Sequence, residues 1–482
     1  MGERARLSED RASTRLQQRR LIVTAVAFAF PVMASIAPPT IDDLSPWGVR
    51  VLSVVIAGLI LWMSEAMPIA ATSLGVVAML ALVGPGTSDE ALKTALAGFE
   101  SPAPYFLLCA LALGAATVKT GLARRLAQML VRGARGSGRR LYAQMMAMMP
   151  PMAVLVPSAL TRTAMLIPTY ESVFQTHRIR RGHPLPRLVM IGTAILQPLA
   201  STAVLTGGAV PVVASSLVGG MSWAHWFVLM SVPMYTILII VGISLFLLYR
   251  PGELPAAIGE GGASTPALSP MSAAEWRGLV IIGATTTLWL TDFIHHLNPA
   301  VPALIGATAL FLPLVGVLRW EDFEEGSPWV IFLVTASSLS LASALNQSGA
   351  AAWVAATIVD QVPLETFALV PQLLVLMAIV AVVNAILPNR TAVLGITIPL
   401  LMSLAGPLGL NPVVVGLMAP IISQTTIFYP VQLATALITY RTRHYAAGEL
   451  ARAGVILTIA SVTTILLVAL PWWGLMGESV RP

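Results

Sequence analysis

Apolar runs long enough to cross a bilayer recur from residue 21 to residue 475, and about 20 predominantly apolar residues are what a transmembrane helix needs. A chain that repeats this pattern so regularly has more apolar length than one water-soluble core can bury. It is read as an all-α polytopic membrane protein, the fold class in which helices satisfy their own backbone inside lipid. Composition agrees, because 56% of the 482 residues are hydrophobic and 10% are charged, against roughly 25% charged in a soluble domain. The net charge of +6 sits in loops, where it reads as an orientation signal and not as a nucleic-acid surface. The single cysteine, Cys109, lies within an apolar run, so a disulfide framework and a cysteine metal site both lack their ligands.

Spans are expected near 21–38, 48–65, 68–86, 103–120, 188–218, 224–249, 276–294, 300–317, 328–346, 411–440 and 450–474, which makes eleven transmembrane helices. Two further apolar regions, 141–176 and 366–405, are too long for one helix. Pro157 with Ser158 interrupts the first and Pro388 with Asn389 the second, so each is expected to be a re-entrant hairpin. The Lys and Arg distribution fits this topology, since cytoplasmic loops carry the excess. With residues 1–20 as a cytoplasmic basic tail, the basic loops "KTGLARRLAQMLVRGARGSGRR" and "HRIRRGHPLPR" share the inner side only if 141–176 returns to where it entered. The C-terminus then falls outside, and the expected location is the inner (cytoplasmic) membrane. Residues 250–275, rich in Pro, Gly and Ser, read as a cytoplasmic linker between halves 21–249 and 276–482.

The halves resemble one another. "GFESPAPYFLLCALALGAATVKTGLARRLA" precedes the first hairpin and "DFEEGSPWVIFLVTASSLSLASALNQSGAAAWVA" precedes the second. The hairpins themselves share "TRTAML" and "NRTAVL". The topology has one hairpin entering from inside and the other from outside, so the repeats are inverted. Inverted repeats with broken helices in corresponding places mark the midplane binding site of a secondary transporter.

Irregular backbone at membrane depth survives only where protein buries it or where it lines a cavity. Four segments qualify: the two hairpin tips, "LASTAVLTGGAVP" at 199–211 and "SQTTIFYPVQLAT" at 423–435. The candidate substrate-binding residues are therefore Ser158, Thr161, Arg162 and Thr163 in the first tip, with Asn389, Arg390 and Thr391 in the second. Thr206, Gly207 and Gly208 at one break, and Pro430 with Gln432 at the other, complete the set. Helix N-termini at such breaks attract anions. The competing reading is that these small and hydroxyl residues merely pack helices together.

The chain also resembles the divalent anion:sodium symporter, or anion permease, family of the ion transporter superfamily. The resemblance runs from about residue 45 to 475 and rests on the order and spacing of "LILWMSEAMPIAATSL", "TLWLTDFIHHLNPAVPALIGA" and "SPWVIFLVTASSLSLASALNQSG". It implies a homodimer that moves as an elevator, with a scaffold domain (21–120 and 276–346) and a transport domain (121–220 and 350–440) holding both hairpins. It also implies transport of dicarboxylates, tricarboxylates or sulfate, usually with sodium near the tips, here near Ser158 and Asn389. The family's Ser-Asn-Thr tip signature is kept in neither hairpin, although counting back from Pro168 or Pro399 would place it on Ser158, Ala159 and Leu160 in the first tip and on Asn389, Arg390 and Thr391 in the second. Aligning the two tips on their shared Arg-Thr-Ala instead sets Thr161, Arg162 and Thr163 beside Asn389, Arg390 and Thr391.

Arg162 and Arg390 suggest why sodium is dispensable. A guanidinium supplies permanent positive charge and binds carboxylate or sulfate through two parallel bonds. If the two arginines replace sodium, the empty carrier holds unneutralised charge at a cost of about 2.5 to 3.5 kcal/mol each on the mildest scale. Transport is then sodium-independent and of exchange type. The alternatives left open are a sodium-coupled dicarboxylate or sulfate symporter and a cation/proton antiporter of the same superfamily, besides a structural role for both arginines. An enzyme is not expected, for no acid, base or metal cluster converges, and His295 and His296 point apart as neighbours on a helix. Beyond the small anion, membrane lipid and a second copy of the chain are the expected partners.

Overall fold

Each expected span contains helix, although 300–317 is helical only over Ala300–Phe311 and 188–218 and 411–440 each hold two helices. The computed structural model describes residues 2–133, 137–180, 182–252, 270–326, 328–387 and 389–481, without the side chains of 2–16 and 130–133. Most of the expected linker, and Pro388 of the second tip, lie outside the described residues. Among the described residues the regular structure is helical, with no strand. Seven helical stretches are long and apolar enough to cross a membrane, while Ile69–Val83, Ala300–Phe311, Arg390–Ala405 and Pro412–Thr425 are apolar but shorter. Ile239, Ile243 and Leu247, spaced by four on Trp223–Tyr249, are more than half exposed. That apolar stripe suits lipid and would be a liability in water.

The basic tail at 1–20 shares one helix with the first expected span, running from Gly2 to Ile36. Its Arg-, Leu- and Gln-rich sequence consists of good helix formers, so the helix of the first span propagates back through it.

The element order repeats in the two halves. After the Gly2–Ile36 helix, which has no counterpart among the described residues of the second half, each half runs through two helices, Pro46–Ser64 and Ile69–Val83 in the first, Ala273–Leu290 and Ala300–Phe311 in the second. A short helix follows (Ser88–Glu100, Trp320–Glu324), then a long helix begun at a Ser-Pro step (Pro102–Lys119, Pro328–Gln347) and another short one (Leu122–Gly133, Ala350–Gln361). Ser101 caps the first of the long helices through the amide of Ala103 with proline at the first helical position, where a missing N–H costs nothing. Next come the hairpins, Gly138–Leu155 with Ala159–Thr176 and Leu369–Ile386 with Arg390–Ala405. Each half then has a broken helix, Pro184–Thr202 continuing as Ala209–Leu217 and Pro412–Thr425 continuing as Ala434–Tyr440, followed by a long closing helix.

The halves interlock through polar contacts between small residues. The Gly98 amide donates to the Ser340 hydroxyl at 2.9 Å, and a side chain at Gly98 would collide with the Ala336 carbonyl. The two broken helices touch as well: Thr435 Oγ1 donates to the Ala194 carbonyl at 2.6 Å, and Gln424 Nε2 donates to Thr202 Oγ1 at 3.1 Å.

Breaking a helix in the protein interior strands carbonyls that must find donors. At the first break, Trp226 Nε1 donates to the Thr202 carbonyl at 3.0 Å from the closing helix. At the second, Asn384 Nδ2 donates to the Thr426 carbonyl at 3.0 Å and Thr458 Oγ1 to the Thr425 carbonyl at 3.2 Å. The chain folds back so tightly that a Cβ on Gly207 would lie 1.9 Å from the Ser201 carbonyl oxygen, so only glycine fits there.

Candidate functional site

Both tips are built alike. Ser158 caps Ala159–Thr176, its hydroxyl accepting from the Thr161 amide at 3.2 Å and the Thr161 hydroxyl at 2.9 Å. Asn389 caps Arg390–Ala405, its Oδ1 accepting from the Thr391 amide at 3.1 Å, the Thr391 hydroxyl at 2.7 Å and the Ala392 amide at 3.4 Å. The caps therefore match Ser158 to Asn389. The shared Arg-Thr-Ala runs are out of step by three residues, which corrects the register that paired Arg162 with Arg390. Cap chemistry, not the repeated triplet, sets where each helix begins.

A cavity of about 340 Å³ lies where the four breaks meet. Ser158, Ala159 and Leu160 line it from the first tip, and Asn389, Arg390 and Thr391 from the second. Ser201, Gly207 and Gly208 come from the first broken helix, and Gln424, Gln432 and Thr435 from the second. The start of Ala159–Thr176, of Ala209–Leu217 and of Arg390–Ala405 thus borders one space, an arrangement that favours negative charge. Among the described residues no Asp, Glu, His or Cys lines it.

The remaining candidates lie elsewhere. Thr161 lines a neighbouring cavity of about 390 Å³ with Lys119, Asp322 and Glu325, and Pro157 and Ser158 border both spaces. Thr163 is fully buried without a partner for its hydroxyl, Thr206 accepts from Trp223 Nε1 at 3.4 Å, and Pro430 is buried in the turn. None of these three is among the residues lining the cavity, and neither is Arg162.

The two arginines differ in their hydrogen bonds. Arg162 is fully buried and every nitrogen of its guanidinium is used: Nε donates to Gln197 Oε1 at 2.8 Å, Nη1 to the Val156 carbonyl, and Nη2 to the Ser201 hydroxyl and, at 3.3 Å, the Gln197 carbonyl. It ties the first tip to the helix ahead of the first break. Among the described residues Arg390 makes one long bond, from Nη2 to the Gln432 carbonyl at 3.4 Å, and its Nε and Nη1 have no partner. A buried guanidinium with donors to spare is costly unless an anion completes it.

Three polar cavity residues escaped the sequence reading as individuals. Gln424, Thr435 and Ser201 stood inside the flagged segments 423–435 and 199–211, but nothing in one sequence separates a polar side chain that faces a cavity from one that faces a neighbour. Gln197, the acceptor that holds Arg162, was missed altogether. Its signal was a lone amide in the apolar run "AILQPLAS".

A helical membrane protein in which two sets of broken helices close on one polar cavity belongs to the class of secondary transporters. The family model described as "sodium:sulfate symporter transmembrane region" matches residues 17–478, and the chain belongs to that family. A Cupriavidus necator protein described as a membrane protein is 24% identical over 475 residues, covering 92% of this chain and 91% of that one. The L-tartrate/succinate antiporter of Escherichia coli K12 is 24% identical over 368 residues, 69% of this chain and 72% of the antiporter. The crystal structure of the Alcanivorax borkumensis YdaH transporter aligns at 16% identity with a TM-score of 0.48, over 88% of this chain and 100% of that chain.

Proposed function

We propose that the protein exchanges small divalent anions of the dicarboxylate type across the inner membrane, with Arg390 as the charged contact to substrate. The observation that carries this reading is the cavity at the four breaks, where Arg390 keeps Nε and Nη1 free and where no carboxylate competes for them. Donors outnumber acceptors there, as an anion requires. The kinship with an L-tartrate/succinate antiporter points the same way.

Arg162 contributes its charge from one shell back, through Ser201, whose hydroxyl takes its bond and whose side chain lines the cavity. Two guanidinium charges then balance one dianion, and the empty carrier crosses reluctantly, which favours exchange over net uptake. Sodium is not needed for this balance. The Ser158 and Asn389 side-chain oxygens, where sodium would be expected, are occupied as helix caps.

In this reading residues 21–120 and 276–346 form a scaffold that pairs two copies of the chain. Residues 121–220 and 350–440 carry the cavity across as an elevator, between eleven spans arranged as inverted repeats with the N-terminus inside. Sodium titration of dicarboxylate exchange in proteoliposomes tests the reading. Exchange that persists without sodium is expected, and a strict sodium requirement returns the assignment to a symporter.

A further inference from the structure

The cavity's unpartnered atoms have one odd member. Three amide side chains line the space, and each has its orientation set by a fixed partner. Asn389 Oδ1 is held by three donors of its own helix start, which leaves Nδ2 unpartnered. Gln432 Oε1 accepts from the Phe428 amide at 2.6 Å and the Tyr429 amide at 3.2 Å, which leaves Nε2 unpartnered. With Arg390 Nε and Nη1 these are four free donors, all suited to carboxylate oxygens.

Gln424 is oriented the other way. Thr202 spends its only hydroxyl proton on the Pro198 carbonyl at 3.0 Å, so its oxygen can only accept, and it accepts from Gln424 Nε2 at 3.1 Å. Gln424 Oε1 is thereby left as an unpartnered acceptor on a side chain that is 5% exposed and lines the cavity. A carboxylate brings acceptors only, and its oxygens would repel this one. A ligand must therefore bring a donor to this point. An ammonium would do so, but beside Arg390 in a lining without carboxylates it has the wrong charge.

We infer that Gln424 is a specificity-determining residue, its Oε1 accepting a hydrogen bond from a hydroxyl on the substrate, so that the site prefers hydroxylated dicarboxylates to their unsubstituted counterparts. The inference rests on the anion-transport reading above and adds a substrate subclass to it. One neutral hydrogen bond in a buried site corresponds to roughly a tenfold difference in affinity.

The test is a matched pair of ligands, malate and succinate, titrated against the full-length protein in nanodiscs by calorimetry. One malate enantiomer is expected to bind roughly tenfold tighter than succinate. In Gln424→Leu the ratio should fall to near one. A ratio near one in the unaltered protein, or an unchanged ratio in Gln424→Leu, overturns the inference and leaves the dicarboxylate reading standing. Binding of neither ligand to the unaltered protein overturns both. If Gln424→Leu does not fold, the unaltered protein's ratio still decides the matter.

Discussion

The two hairpin tips carry the same Arg-Thr-Ala triplet and put it to different uses. In the first tip the arginine is the fourth residue of its helix, one turn below the cap, and its three nitrogens are bound to Val156, Gln197 and Ser201. In the second it is the first residue after the cap, it lines the cavity, and two nitrogens are free. A displacement of three residues keeps the side chain on nearly the same helical face and lowers it by about 4.5 Å, at 1.5 Å per residue. That suffices to turn a ligand-facing charge into an internal staple. The repeat conserves the architecture of the tip but not the job of its charged residue.

Breaking the second tip should produce the largest effect. Arg390→Ala removes the only guanidinium that lines the cavity among the described residues, and dicarboxylate exchange is expected to fall at least about 100-fold, as when one member of a buried charge pair is truncated. Arg390→Lys retains charge but loses the planar pair of donors, and it should recover only part of the activity. Counterflow of labelled succinate in proteoliposomes reads both.

Breaking the first tip should cost stability as well as the second of the two balancing charges. Arg162→Met strands the Val156 carbonyl, Gln197 Oε1 and Ser201, at about 1 to 3 kcal/mol for a buried polar group left unsatisfied. A lowered melting temperature is expected, with the malate-to-succinate ratio of the surviving protein unchanged. An altered ratio at normal stability would mean that Arg162 touches substrate.

Smaller effects sharpen the contrast. Asn389→Ala deletes a helix cap worth about 1 kcal/mol and one cavity donor, so it should lower stability and affinity together. Ser158→Ala deletes a cap and one hydroxyl that lines the cavity, so it should lower stability with a smaller loss of affinity. At the edge of the molecule Arg125 binds Glu275 at 2.9 Å, and this hydrogen bond is the main reason the Glu275 carboxyl is held down to about 2. A depressed carboxyl contributes stability above its ordinary value of 4.5, and the contribution is lost as pH falls towards about 2. Glu275→Gln should flatten the acid side of a melting curve slightly and leave exchange at neutral pH unchanged.

Much of this fold was legible in the sequence, because each span is a run of apolar residues and each break is a cluster of Pro, Gly and hydroxyl residues. The convergence of Ser158, Gly207, Gly208, Asn389, Arg390, Thr391 and Gln432 on one cavity follows from the same signals. What stayed hidden was side-chain direction. The matched triplets made Arg162 and Arg390 look equivalent, whereas counting back from Pro168 and Pro399 gives the three-residue offset that the caps at Ser158 and Asn389 bear out. Gln197 and Gln424 are a similar case. Both are lone amides in apolar helices, yet one holds an arginine and the other faces the cavity, a distinction made by partners 35 and 222 residues away in sequence.

The central claim, that Arg390 is the charge held ready for an anion, is tested most directly by ligand-induced thermal stabilisation of Arg390→Gln. A ligand at 100 times its Kd stabilises a folded protein by about 2.7 kcal/mol. Malate and succinate should stabilise the unaltered protein by that order, in the absence of sodium. Arg390→Gln should melt at or above the temperature of the ligand-free unaltered protein, since an unpaired buried charge is gone, and should gain nothing from either anion. Equal stabilisation of both proteins by dicarboxylate would contradict the claim.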